Sequence, residues 1–169
     1  MPTLHVIVGL PGAGKTTLGR RLEAELPALR LTPDEWMVPL FGESEAGGKR
    51  DDLEGLLIRV ALRTLSLGVD VILDFGVWSR DERTGLRHLA AAIGATTRLH
   101  YLPVEPETQW LRLSARDDVS SFRIERLDMD RYATMFEEPS AEELAGVDDR
   151  PDDPPWPEWC RGRWPTLAG

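Results

Sequence analysis

Gly9-Leu10-Pro11-Gly12-Ala13-Gly14-Lys15-Thr16 is the stretch whose reading decides the fold. It meets the pattern G-x-x-x-x-G-K-[ST] at every fixed position. With glycine at about 7% of an average protein, such a coincidence arises by chance well under ~1% of the time in a chain this long. The residue types follow from the chemistry of a nucleoside triphosphate, ATP or GTP. Many donors are needed at close range, and only a glycine-rich turn lets successive backbone N–H groups point inward. The helix that follows adds the amides of its first turn, Thr17 included, and the positive end of its dipole. Lys15 supplies a point charge for the β- and γ-phosphates, and the Thr16 hydroxyl is a ligand for Mg²⁺.

The motif sits in the context it requires. Leu4–Val8 is a short β-rich run leading into Gly9, and from Lys15 a helix carries Leu18, Leu22 and Leu26 on one face as far as Pro27. Working outward, Ala28–Leu31 reads as a second strand, and Thr32-Pro33-Asp34-Glu35 as a loop opening a short helix through Leu40. Residues 42–49 form a polar, glycine-rich connection. Asp51 or Asp52 begins a helix with Leu53, Leu56, Leu57, Val60, Ala61 and Leu65 at i, i+3, i+4 spacing, closed by Gly68. Val69–Leu73 is a strand ending on Asp74, and Ser79-Arg80-Asp81-Glu82 matches a capping box for the next helix, which runs to Gly94. Thr97–Leu102 is a further strand, Pro106 suits the first turn of a helix running towards Arg116, and Ser140-x-x-Glu143 caps a short last one. Strands alternating with helices give βαβ units, hence a three-layer α/β fold whose parallel sheet carries helices on both faces. The expected organisation is a domain over 1–145, with a lid at about 112–130, and an acidic tail over 146–169 rich in proline and tryptophan.

Composition narrows the function classes. The chain has 169 residues, 41% of them hydrophobic, and a net charge of −9. Polynucleotide binding draws its affinity from neutralised phosphates, so this overall field argues against a nucleic-acid acceptor. The N-terminus has no basic segment of a signal peptide, no window reaches the ~18 apolar residues of a membrane span, and one cysteine, Cys160, suits a reducing compartment. A cytoplasmic protein with a small-molecule acceptor is expected.

Two carboxylates complete the candidate site. Asp74 ends a hydrophobic strand at the edge where a doubly wound sheet binds ligand, the place for a residue beside Mg²⁺; the alternative is ordinary strand termination. Asp34 follows the second strand on the acceptor side, where a carboxylate accepts a hydroxyl proton; the alternative is a helix cap. Arg112, Arg116, Arg123 and Arg126 are candidates to neutralise the transferring phosphate, with Arg116 first, against the alternative of a solvated face paired with neighbouring acids. Arg80 and Arg83, just past Asp74, either bind an anionic acceptor or are ordinary first-turn residues. The tail tryptophans either fold over the body or cover the nucleotide base.

With these residues assembled, the chain resembles the small P-loop kinases grouped as AAA_33 or zeta-toxin-like. That group includes the kinase domains of polynucleotide 5′-kinases and is similar to chloramphenicol phosphotransferase and to gluconate and shikimate kinases. The likeness covers about residues 3–145. It rests on the phosphate loop, on Leu31–Glu35, on Val71–Asp74 continuing through Phe75-Gly76-Val77-Trp78-Ser79-Arg80, and on Phe136–Glu143. The resemblance implies a sheet ordered 2-3-1-4 with room for a fifth strand, ATP as donor, Asp34 as the base that activates the acceptor hydroxyl, and Arg116 as a lid arginine. Two positions depart from it. Polynucleotide kinases of this type carry an arginine three residues past the base, where this chain has Met37, and no segment after Gly146 reads as a closing strand. Three functions therefore stand: a phosphotransferase to a small hydroxylated acceptor, a nucleotide-dependent switch or binding protein that docks through its tail, and a polynucleotide 5′-kinase.

Overall fold

The computed structural model describes residues 1–43, 46–115, 125–147, 150 and 155–168. Strands β1 (Thr3–Val8), β2 (Ala28–Leu31), β3 (Asp70–Leu73) and β4 (Thr96–Tyr101) form one sheet in the order β2-β3-β1-β4. Every pairing is parallel, with Leu4 opposite Val71 and Val6 opposite Leu73. This is the order the resemblance implied, and the described residues contain no fifth strand.

Side chains alternate across a strand, so β1 and β3 must be apolar on both faces if both are covered. Ile7 and Ile72 pack on one face against Leu22 of α1 (Lys15–Glu25), with Leu18 and Leu26 beside them. Leu4, Val6, Val8, Val71 and Leu73 pack on the other against Leu57, Ile58, Ala61 and Leu65 of α3 (Lys49–Ser66) and Leu86 and Ala90 of α4 (Arg80–Ala92). Between β2 and α3 lies α2 (Asp34–Phe41). The expected capping box closes α4, with Ser79 Oγ accepting from the Glu82 amide. Beyond β4 come α5 (Pro106–Ser114), α6 (Arg126–Met135) and α7 (Ala141–Leu144), the last capped by Ser140 as expected. No described helix is long and apolar enough to cross a membrane.

Of the two placements left open for the tail tryptophans, the structure takes the first. Helix α8 (Trp156–Arg163) lies on α4, and a 3₁₀ turn at Pro165–Leu167 lies on α3. Trp156, Cys160 and Trp164 are buried, with His88 stacked on Trp156, so these tryptophans offer no docking surface in this arrangement. Two notches admit the segment. A Cβ on Gly85 would stand 2.6 Å from Cys160 Sγ, and one on Gly55 would run into Thr166 Oγ1. Gly85→Ala is therefore expected to lower the unfolding free energy by about 1–3 kcal/mol through overpacking, read by urea denaturation. Adding Cys160→Ala should return part of that loss, because it reopens the notch.

Candidate active site

The phosphate loop joins the end of β1 to the start of α1, and helix α5 holds it from beneath. Gly12 and Gly14 have φ of +81° and +98°, a backbone that side-chained residues rarely adopt. A Cβ on Gly12 would also press within 3.1 Å of Leu113 Cγ and 3.2 Å of the Gln109 carbonyl. From α5, the buried Gln109 donates Nε2 to the Pro11 carbonyl at 2.9 Å. Arg112 donates Nη1 to the Gly12 and Ala13 carbonyls at 3.2 and 3.4 Å. Because N–H and C=O point opposite ways across a trans peptide, tying down the Pro11 and Ala13 carbonyls turns the Gly12 and Gly14 amides away from α5. Lys15 Nζ lies 3.1 Å from the Leu10 carbonyl, folded back over the loop. Arg112, expected as a phosphate contact, thus meets the loop's carbonyls. Arg116 and Arg123 lie outside the described residues.

Asp74 follows β3 directly, and its amide bonds to the Leu31 carbonyl at 3.0 Å, which fixes it between the ends of β2 and β1. Burial pushes its carboxyl above the ordinary value, opposed by the Lys15 ammonium and a hydrogen bond from the Thr16 hydroxyl. Its Oδ2 is buried without a hydrogen-bond partner, and Arg30 Nη1 lies 3.9 Å from it, itself buried and without a hydrogen bond at that nitrogen. A carboxylate oxygen left so is costly unless a cation completes it. The donor set of Asp74 and Thr16, two hard oxygens at the mouth of the loop, fits a divalent cation such as Mg²⁺.

Asp34 lies across the same cleft as the first residue of α2. Its side chain is 64% exposed, and Pro33, not Asp34, is the helix N-cap, with no side-chain cap bond at this end. Arg50, from the first turn of α3, donates Nη1 to Asp34 Oδ1 at 2.9 Å. The cleft has a volume of about 1200 Å³ and is lined by the loop, Asp34, Asp74, Arg50, Trp78 and residues of α6 and the tail. From α6, Arg131 and Tyr132 face it, Tyr132 with its ring 5.1 Å from that of Trp78. Arg126 instead pairs with Glu107 of α5 and sits over Trp110, a partner outside the nearby acids Asp117, Asp118, Glu125 and Asp128 of the solvated-face alternative.

Arg83 is not an acceptor ligand. It is 1% exposed, its Nε and Nη2 meet Glu143 Oε1 and Oε2 at 2.9 and 3.1 Å, and its Nη1 donates to the carbonyls of Trp78 and Glu137. This cation clamps the 74–79 loop to the segment leading into α7. Burial pushes Glu143 up, but the Arg83 guanidinium outweighs it and holds the carboxyl below its usual range. Gln109, Arg50 and Arg131 escaped the sequence reading, and Arg83 was named there without the carboxylate it pairs with. Arg83 meets Glu137 and Glu143 from 54 and 60 residues away, Gln109 meets Pro11 from 98 and Arg50 meets Asp34 from 16, and no local pattern announces such pairs.

The family model AAA_33, described as an AAA domain, matches residues 4–139. No curated protein matches the sequence. Among solved structures, a chain of the Pnkp1/Rnl/Hen1 RNA repair complex superposes with a TM-score of 0.69 at 20% identity over 79% of this chain. The match spans only 43% of that longer chain. Kti12 of Chaetomium thermophilum, solved with ADP-AlF3, gives a TM-score of 0.68 at 21% identity, covering 98% of this chain and 100% of that one. The APS kinase CysC of Mycobacterium tuberculosis, solved with AMPPNP and APS, gives 0.60 at 18% identity, covering 94% and 95%. These likenesses establish a shared P-loop fold.

Because Arg83 is 1% exposed and makes two hydrogen bonds to Glu143, Arg83→Met leaves that carboxylate, among the described residues, only the Ser140 amide at 3.3 Å and the Arg80 guanidinium at 3.8 Å. We expect it to destabilise the chain by about 3–5 kcal/mol at neutral pH. Stability owed to a lowered carboxyl is present above the unfolded value and lost as pH falls through the folded one. Wild type and variant should therefore converge in acid, as followed by urea unfolding across pH.

Proposed function

Since the chain belongs to the AAA_33 family, we propose that it is an ATP-dependent phosphotransferase which moves the γ-phosphate to a hydroxyl of a small-molecule acceptor. The observation that carries the reading is one cleft holding three things together: a loop with inward amides and Lys15, the buried Asp74 with an unsatisfied oxygen, and the exposed Asp34 carboxylate opposite. The loop amides through Thr17 and the Lys15 ammonium bind the β- and γ-phosphates, and Arg112 acts through the loop it braces. Thr16 and Asp74 would hold Mg²⁺, which when bound neutralises phosphate oxygens. Asp34 takes the proton of the acceptor hydroxyl as its oxygen bonds to the γ-phosphorus. The bond from that phosphorus to the β–γ bridging oxygen breaks, and its electron pair leaves on ADP. Arg131 and Arg116 are the candidate arginines for the charge spread over the equatorial oxygens.

A small acceptor is favoured over a polynucleotide. Met37, at the position where the resemblance would call for an arginine in a 5′-kinase, is wholly buried, and the net charge is −9. Lys15→Ala should weaken Mg-ATP binding roughly a hundredfold, the loss of one charged contact to phosphate, by calorimetric titration. Asp34→Ala should leave that binding within about twofold while cutting label transfer from γ-labelled ATP to a pool of hydroxylated metabolites by ~10²–10⁴. Unchanged transfer would remove Asp34 from the role of base.

A further inference from the structure

One chain of contacts runs from the C-terminal segment to Asp34. Trp164 donates its indole N–H to Glu54 Oε2 at 3.1 Å, inside the protein. Glu54 Oε1 lies 3.3 Å from Arg50 Nε, one helical turn back on α3, and Arg50 in turn donates to Asp34. The neighbouring Arg163 braces the same corner. Its Nη1 meets Asp51 at 2.7 Å, its Nε meets Glu82 at 2.8 Å, and its Nη2 lies 3.8 Å from Glu54. Glu82 spends its other oxygen on the amides of Trp78 and Ser79, next to the loop that follows Asp74. Arg50, Glu54, Arg163 and Trp164 all line the cleft, and the last two lie beyond residue 139, where the family match stops.

We propose that Arg50 is a positioning residue for Asp34, and that the C-terminal segment, through Trp164 and Arg163, holds Arg50 in place and so completes the acceptor side of the cleft. This rests on the reading of Asp34 as the base. Arg50 engages Oδ1 and leaves Oδ2 for the acceptor proton. An exposed aspartate alone would sample several rotamers, and a guanidinium fixed at two points removes that freedom. The anchor is itself sensitive to protons. Burial raises the Glu54 carboxyl to about 7, with Glu82 adding to the rise and Arg50, the Trp164 N–H and Arg163 opposing it. While ionised, Glu54 grips Arg50; once protonated it loosens. Removing the indole N–H takes away support for the ionised form, so protonation then occurs at higher pH.

The test uses the full chain, Mg-ATP, and water as the acceptor, following turnover against pH with Mg-ATP binding and melting temperature alongside. Arg50→Gln should lower kcat about tenfold with KM for Mg-ATP within about twofold, and Arg50→Gln combined with Asp34→Asn should fall no further than Asp34→Asn alone, because the two act as one unit. Trp164→Phe keeps the ring and should move the acid limb of the pH profile upward. Glu54→Gln, which still accepts the indole N–H, should flatten that limb; it serves where Trp164→Phe folds poorly. Additive losses for Arg50 and Asp34, or an acid limb that neither Trp164→Phe nor Glu54→Gln moves, would overturn the inference and leave the phosphotransferase reading intact. If Asp34→Asn itself turns over like the parent, the reading of the base fails, and the inference goes with it.

Discussion

Three parallel strands ending side by side govern where the phosphate loop, Asp34 and Asp74 stand. Because β1, β2 and β3 run the same way and are joined by crossover helices, the segments leaving their C-terminal ends converge on one edge. The phosphate loop leaves β1, the Thr32–Asp34 turn leaves β2, and Asp74 leaves β3. The pairing of Val6 with Leu73, and of Leu31 with Leu73, sets their mutual depth. A slip of one residue in β3 would move Leu73 to the wrong face and carry Asp74 away from Thr16 and Lys15. Core packing and the site are thus the same constraint viewed from two sides.

Arginine does much of the remaining fastening. Only two of the chain's 20 basic residues are lysines, Lys15 and Lys49. Lys15 sits where a compact charge suits a phosphate. Elsewhere the bridging is multidentate: Arg83 reaches one carboxylate and two carbonyls, Arg163 reaches carboxylates on two helices, and Arg30 lies among Glu23, Glu35 and Asp74. A planar fork with five donors makes such junctions, and an ammonium on a flexible stem does not.

The layout of the domain was legible in the sequence because its signals are local. The glycine loop, the two capping boxes and the apolar runs of β1 and β3 are each fixed by neighbours within a few residues, and all appear where expected. Asp34 and Asp74 were legible as candidates because the loop before them supplies the frame. What stayed hidden is long-range. Arg83 read as a first-turn residue or an anion ligand because nothing nearby says that Glu143 will meet it. The tail's placement stayed open between folding over the body and covering the base, because its acidic, proline-rich lead-in masks a helix whose Cys160 packs at Gly85 and whose following Trp164 packs at Gly55. Complementarity between distant surfaces leaves no periodic trace.

The lone thiol follows from that docking. Cys160 is sealed between α8 and α4, and burial pushes it up to about 12, so hardly any thiolate exists at neutral pH. An alkylating reagent reaches it only when the segment lifts. The chain therefore carries its own stopwatch: the rate of thiol capture reports how often the C-terminus detaches, with no label added and no second cysteine to confuse the reading.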